Sequence, residues 1–136
     1  MKRRYSDRFT FPPALILDVD IIATGTDRQR RIPAKIDTGA DMTAIPDSLI
    51  AELKLLEFNK RILYAVGHPG YLCFTYLATI MVESRSFEIE MATHNRPYVL
   101  LGRDILNQFI LHADGPAEIF ELTWSSPHKK RRPSRQ

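Results

Sequence analysis

The sequence predicts a mainly β domain, a small closed or partly closed β-barrel with two short helices. Three observations predict it. Short apolar segments recur along the chain, several alternating apolar with polar residues, and Gly, Pro, Asp or Ser clusters separate them. Only two stretches carry helix-start signals, and both are brief. At 136 residues the chain has room for one core, and many short strands in one core point to a barrel, which leaves few open edges.

The elements follow in order. Leu15 to Ala23 alternates Leu15, Leu17, Val19 and Ile21 against Ile16, Asp18, Asp20 and Ile22, and reads as a strand. Thr24-Gly25-Thr26-Asp27 turns the chain, and Arg30 to Ile36 returns as the second arm of a hairpin. Pro46-Asp47 precedes a short helix with apolar spacing at Leu49, Ile50 and Leu53 and with Asp47 as its expected cap. Arg61 to Val66 and Tyr71 to Val82 read as strands joined by Gly67-His68-Pro69-Gly70. Glu83-Ser84-Arg85 turns into an alternating strand over Ser86 to Met91. Tyr98 to Leu101 is a short apolar strand, Gly102 starts the second helix, and Ala117 to Leu122 closes the domain.

Charge divides the chain. Residues 1–8 carry four basic and one acidic residue, and residues 125–136 carry five basic and none acidic. Of the 19 basic and 16 acidic residues in all, the stretch 9–124 keeps 10 and 15, a net charge of −5. We therefore expect a basic N-terminal tail over 1–12, a folded domain over 13–124 and a basic, disordered C-terminal tail over 125–136. The tails are open to an acidic partner, an anionic membrane surface or nucleic acid, whereas the acidic body suits phosphate contacts poorly. No apolar run approaches the roughly 18 to 20 residues of a membrane span, and no signal-peptide core follows the basic start, so the expected compartment is the cytosol. Cys73 is alone, which rules out an intrachain disulfide. His68, His94, His112 and His128 lack metal-ligand spacing, and neither a metal nor another cofactor is expected.

The segment that carries chemistry is Ala34-Lys35-Ile36-Asp37-Thr38-Gly39-Ala40-Asp41. A strand runs into an acidic residue, then a hydroxyl, a glycine and a small residue, which presents a carboxylate on a tight turn. Alone, Asp-Thr-Gly fits a structural Asx-turn as well. A second segment, Leu100-Leu101-Gly102-Arg103-Asp104-Ile105-Leu106, follows downstream. With both segments in this order and a glycine-bearing hairpin between them, the chain resembles the retroviral aspartic proteases (retropepsins) and their single-domain cellular and bacterial relatives over roughly Leu15 to Leu122.

The resemblance implies a retropepsin-type barrel and an aspartic endopeptidase. It makes Asp37 the catalytic carboxylate, gives Thr38 the task of holding two active-site loops together across a dimer, and sets the Gly39 backbone beside the scissile peptide. Ala40 and Asp41 would flank the substrate. Arg103, after Gly102, would pair with Asp41, with a bidentate contact open. Val66, Gly67, His68, Pro69 and Gly70 would form the flap, stiffened by Pro69 where viral relatives are glycine-rich. Cleft-lining apolar residues are expected at Ile36, Ala40, Ile45, Val66, Leu72 and Leu101. Met42 stands where an acidic residue often follows the motif, so subsites with little charge preference are expected.

Amide hydrolysis at aspartate requires two carboxylates sharing one proton, and this sequence holds one Asp-Thr-Gly. Asp18, Asp20, Asp27, Asp47, Asp104 and Asp114 lack the following hydroxyl and glycine and suit strand faces, turns and caps. A homodimer would supply the second Asp37. In viral relatives the termini interleave in the dimer sheet, whereas this chain runs past both expected ends with basic residues. Two other readings stay open: a non-catalytic peptide-binding or dimerisation module on the same fold, and a nucleic-acid-associated protein led by its basic tails.

Overall fold

Strand alternation organises the chain into ten strands and two short helices over residues 1–124, the residues that the computed structural model describes. In chain order they are β1 (Lys2–Arg4), β2 (Ile16–Ile22), β3 (Gln29–Ile36), β4 (Ala44–Pro46), α1 (Ser48–Leu53), β5 (Leu56–Leu63), β6 (Tyr71–Val82), β7 (Arg85–His94), β8 (Val99–Leu101), α2 (Arg103–Leu106), β9 (Phe109–Asp114) and β10 (Ile119–Trp124). The expected basic C-terminal tail lies outside the described residues.

Six strands run β2-β3-β8-β4-β7-β6, and a β2–β6 pairing, with Ile21 opposite Ile80, closes them into a barrel. The predicted alternation holds along β2: Leu17, Val19 and Ile21 are buried, and Ala34, Ile45, Ile80, Val82, Met91, Val99 and Leu101 meet them with no more than 2% of their surface exposed. Each large side chain so buried contributes about 1.5–3 kcal/mol. This barrel is the fold class that the sequence predicts.

Two pairings position the site. β3 and β8 run parallel with Ile36 opposite Leu101, so the next residues, Asp37 and Gly102, leave the sheet side by side. β4 pairs with β8 through Ala44 and Leu100 and lies parallel to β7, which brings Thr93 and His94 to the same mouth of the barrel.

A second sheet, β1-β10-β9, lies outside the barrel. It corrects the expectation of an N-terminal tail over 1–12. Lys2, Arg3 and Arg4 pair with Glu121, Phe120 and Ile119, and Ser6 bridges Ala14. Charge alone suggested a tail, but backbone pairing spends no side chain: Lys2 and Arg4 stay exposed while Arg3 turns in to Glu83 at 2.5 Å. Phe109 and Trp124 pack edge to face, centroids 5.8 Å apart, and both rings meet Phe87 of the barrel.

Three local expectations also change. β5 begins at Leu56 and ends at Leu63, rather than spanning Arg61 to Val66; it pairs only with β6, and with all but Leu63 exposed, no buried face imposes a period on its sequence. β9 also went unread: only Phe109 and Leu111 turn toward the core, and its other four residues are exposed. Asp47 precedes α1 without a side-chain cap, in helical conformation itself, and its N–H donates to the His94 carbonyl at 2.9 Å. Among the described residues no helix is long and apolar enough to cross a membrane.

Candidate active site

The site is a loop, a brace and a roof. The loop begins where β3 ends: the Asp37 N–H donates to the Leu101 carbonyl (3.0 Å), which ties the aspartate to the end of β8. The Gly39 N–H donates to Asp37 Oδ1 (2.9 Å), and the Ala40 N–H donates to the Asp37 carbonyl (3.2 Å). The carboxylate is thus oriented by its own turn, with Oδ1 engaged. A Cβ on Gly39 would stand 3.2 Å from that oxygen, so the glycine keeps the approach to it narrow-walled and open. Thr38 and Gly39 are exposed.

The brace comes from the second motif. Arg103 donates through Nη1 to the Thr38 carbonyl (2.8 Å) and through Nη2 to Asp41 Oδ1, while its backbone N–H donates to the Ala40 carbonyl (2.9 Å). The guanidinium fork therefore spans a carbonyl and a carboxylate instead of closing on Asp41 alone, as a bidentate pair would. Gly102 is required by contact, since an added Cβ would lie 2.6 Å from the Met42 carbonyl carbon and 3.0 Å from the Ala40 oxygen.

Beneath the loop lies a network that sequence reasoning missed. The Asp104 carboxylate accepts from the Thr43 N–H (2.9 Å), the Thr43 hydroxyl (2.7 Å) and the Ile105 N–H (2.9 Å). Thr43 Oγ1 in turn accepts from the Gly102 N–H (3.1 Å). Thr43 is fully buried, so these bonds meet the demand of polar groups that water cannot reach. The only available signal was Asp104 following Arg103 directly, and its pairing with Thr43 is visible only once β4 and β8 adjoin.

The roof is the β5–β6 hairpin. Its last pair is Leu63 opposite Tyr71, so the connection runs over residues 64–70 and is longer than Gly67-His68-Pro69-Gly70. The Tyr64 ring covers Gly70, which has φ +98° and whose added Cβ would meet that ring at 2.8 Å. The His68 N–H donates to the Ala65 carbonyl at 3.0 Å.

Loop and roof enclose a cleft of about 540 Å³ that holds Asp37, Gly39, Ala40 and Asp41 together with Met42, Arg61, Ile62, Leu63, Tyr64, Tyr71, His94 and Leu100. The walls differ from those expected. Of the six apolar residues named from the sequence, only Ala40 lines the cleft. Ile45 and Leu101 are core residues, Ile36 packs partly against the core, and Val66 and Leu72 stand exposed on the hairpin. Strand parity explains this: Leu101 faces the barrel interior, so Leu100 faces the cleft. The tip residues Val66, Gly67, His68, Pro69 and Gly70 lie beyond the cleft, and the shoulders Ile62 to Ala65 with Tyr71 form its wall. His94 is half-buried there. Burial first, and then Arg96, push its protonation below the ordinary imidazole range, against opposing contacts from Ala44, Asp47 and Tyr98. Among the described residues no group of three or more His, Cys, Asp or Glu side chains is arranged to hold a metal ion.

A six-stranded barrel that delivers one Asp-Thr-Gly loop to a hairpin-roofed cleft has the retropepsin-like fold. The solved structures it is similar to include a retropepsin-like aspartic protease and viral proteases. A retropepsin-like aspartic protease from Rickettsia conorii superposes with a TM-score of 0.60 at 16% identity, covering 91% of each chain. The simian foamy virus (mac) protease gives 0.53 at 22% identity, over 68% of this chain and 92% of that one. The EIAV protease complexed with the inhibitor HBY-793 gives 0.52 at 23% identity, over 73% and 90%. No family model matches the sequence, and no curated protein does.

Proposed function

We propose that the protein is an aspartic endopeptidase that works as a homodimer, with one Asp37 from each copy. The observation that carries this reading is the placing of Asp37: a carboxylate oriented by its own turn, on a loop braced by Arg103, at the floor of a cleft roofed by a hairpin. Likeness to solved aspartic proteases supports it.

Two carboxylates about 3 Å apart cannot both ionise readily, so the pair keeps one proton. The ionised Asp37 takes a proton from water as it attacks the peptide carbonyl. The protonated partner donates to the carbonyl oxygen and stabilises the tetrahedral species. Exposed Thr38 and Gly39 suit contact with a second copy at this point. β9 suits it too, because among the described residues no strand pairs with its edge away from β10, and Ile110 is 57% exposed. The substrate is an extended peptide with largely apolar side chains, received by Met42, Ile62, Tyr64, Tyr71 and Leu100.

One contact favours a second reading. The Gly39 N–H on Asp37 Oδ1 is also what a turn-forming aspartate makes, as in a non-catalytic peptide-binding or dimerisation module. Sedimentation of wild type and Asp37→Asn, with peptide-library cleavage at about pH 5 and pH 7, separates the two. Dimer and cleavage rising together with concentration, with cleavage lost in the variant, is the expected result. A strict monomer without cleavage would leave the module.

A further inference from the structure

Beyond its strand pairing, the hairpin that roofs the cleft is joined to the barrel by a charged device and by a longer Cys73 Sγ–Thr93 Oγ1 contact (3.8 Å). Arg61 on β5 donates through Nε to Glu90 Oε1 (2.5 Å) and through Nη2 to Glu90 Oε2 (2.7 Å), a two-pronged contact reaching across β6 to β7. From β6, in between, the Thr75 hydroxyl donates to Glu90 Oε1 (2.6 Å). Three successive strands are thereby pinned at one point. Thr75 is fully buried and the Glu90 side chain is only 16% exposed, so the anchor is set in the wall, whereas the Arg61 side chain is 47% exposed and lines the cleft.

The place of the device matters. Below it, β5 slips register between Glu57 and Asn59, which interrupts its ladder with β6. Above it lie Ile62, Leu63, Tyr64 and Tyr71, the roof of the cleft. Among the described residues β5 is unpaired on its outer side, so the roof is held only through β6, by the ladder from Asn59 to Leu63 and by this device.

We propose that Arg61, Thr75 and Glu90 form a clasp that holds the hairpin at working height over Asp37, so that Arg61 and Glu90 are positioning residues for the substrate. The inference rests on the reading of the cleft as a peptide-hydrolysing site. The groups acting on the Glu90 carboxyl agree with it. Arg61 chiefly, and Thr75 after opposing burial, hold this carboxyl below its ordinary range. A carboxyl depressed in this way stabilises the fold above its unfolded pKa and loses that contribution only as pH falls through the lower folded value. The clasp therefore stays shut at about pH 5, where a shared-proton aspartate pair works.

Hydrogen exchange on the full chain, with cleavage kinetics alongside, tests the proposal using Glu90→Gln and Arg61→Lys. In Glu90→Gln, exchange over residues 62–72 is expected to rise about tenfold while strand β2 stays protected. KM is expected to rise by a similar factor with kcat little changed, because substrate must first draw the roof down. Arg61→Lys, which keeps the charge but loses the fork, is expected to fall between wild type and Glu90→Gln. Unchanged hairpin exchange in both variants would overturn the clasp whatever the kinetics. So would a uniform rise through the barrel, which would mark the pair as merely structural. Looser hairpin exchange in a protein that cleaves nothing would overturn its positioning role and the protease reading together, and leave only a mechanical anchor.

Discussion

The floor and the roof of the cleft are built on opposite principles. The floor is finished within one chain: Thr43 and Gly102 are buried, Asp104 takes both polar groups of Thr43, and Arg103 spans Thr38 and Asp41. The roof is unfinished. Of eleven exposed large hydrophobic residues among those described, eight (Leu56, Phe58, Ile62, Tyr64, Val66, Tyr71, Leu72 and Phe74) stand on the β5–β6 hairpin, a concentration that singly scattered surface residues do not produce. The floor spends its interactions on holding one geometry, while the roof leaves its apolar surface exposed. The difference teaches how rigidity is distributed: through the whole loop at the carboxylate, and at the single Arg61–Glu90 clasp in the cover.

Substitutions can break this contrast, and the largest effect belongs to the aspartate. Asp37→Asn should lower peptide cleavage by about 10⁴-fold or more while leaving the thermal midpoint near wild type, because the amide oxygen still accepts from the Gly39 N–H. Scanning calorimetry beside a cleavage assay would show both, and an active variant would end the catalytic reading. Asp104→Ala should cost about 2–4 kcal/mol in urea unfolding, since it strands the buried N–H and hydroxyl of Thr43. Gly102→Ala should cost about 1–3 kcal/mol, because the new methyl presses on the Met42 and Ala40 backbone. Its φ of −90° adds no penalty, so the whole loss would report that contact. Arg103→Lys should change stability by about 1 kcal/mol or less at this exposed position, yet lower kcat by loosening Thr38.

The smallest expected effect would sharpen the comparison most. Leu72→Ser, on the outer side of the roof, should shift unfolding free energy by no more than about 0.5 kcal/mol, since the side chain is already 64% exposed. A loss of several kcal/mol would mean that the hairpin buries that face against something within the chain, and the contrast would fail.

What the sequence made legible follows from where periodicity exists. β2 and β6 were readable because one face of each enters the core, and the two motif halves were readable as short fixed orders of residues, Asp37-Thr38-Gly39 after a strand and Gly102-Arg103-Asp104 before a helix. β5 was not, since an edge strand with both faces in water answers to no repeat, and β9 offers only Phe109 and Leu111 as a half-buried face, too short a repeat to read. The walls of the cleft were misread by parity: Leu100 and Leu101 are neighbours of like chemistry, and only the sheet decides which of them faces the cleft. Thr43 with Asp104, and Arg61 with Glu90, are pairs formed by strand adjacency, for which sequence separation offers no cue.

The cis pairing of β1 with β10, Lys2 opposite Glu121, has a consequence for assembly. Where a terminal strand must wait for another molecule, folding and assembly are one equilibrium, and a lone copy is an incomplete object. Here the strand is seated within its own chain, so among the described residues the β1-β10-β9 sheet forms without a second copy. For the homodimer proposed above, the pairing of two copies is then an event separate from folding and governed by mass action.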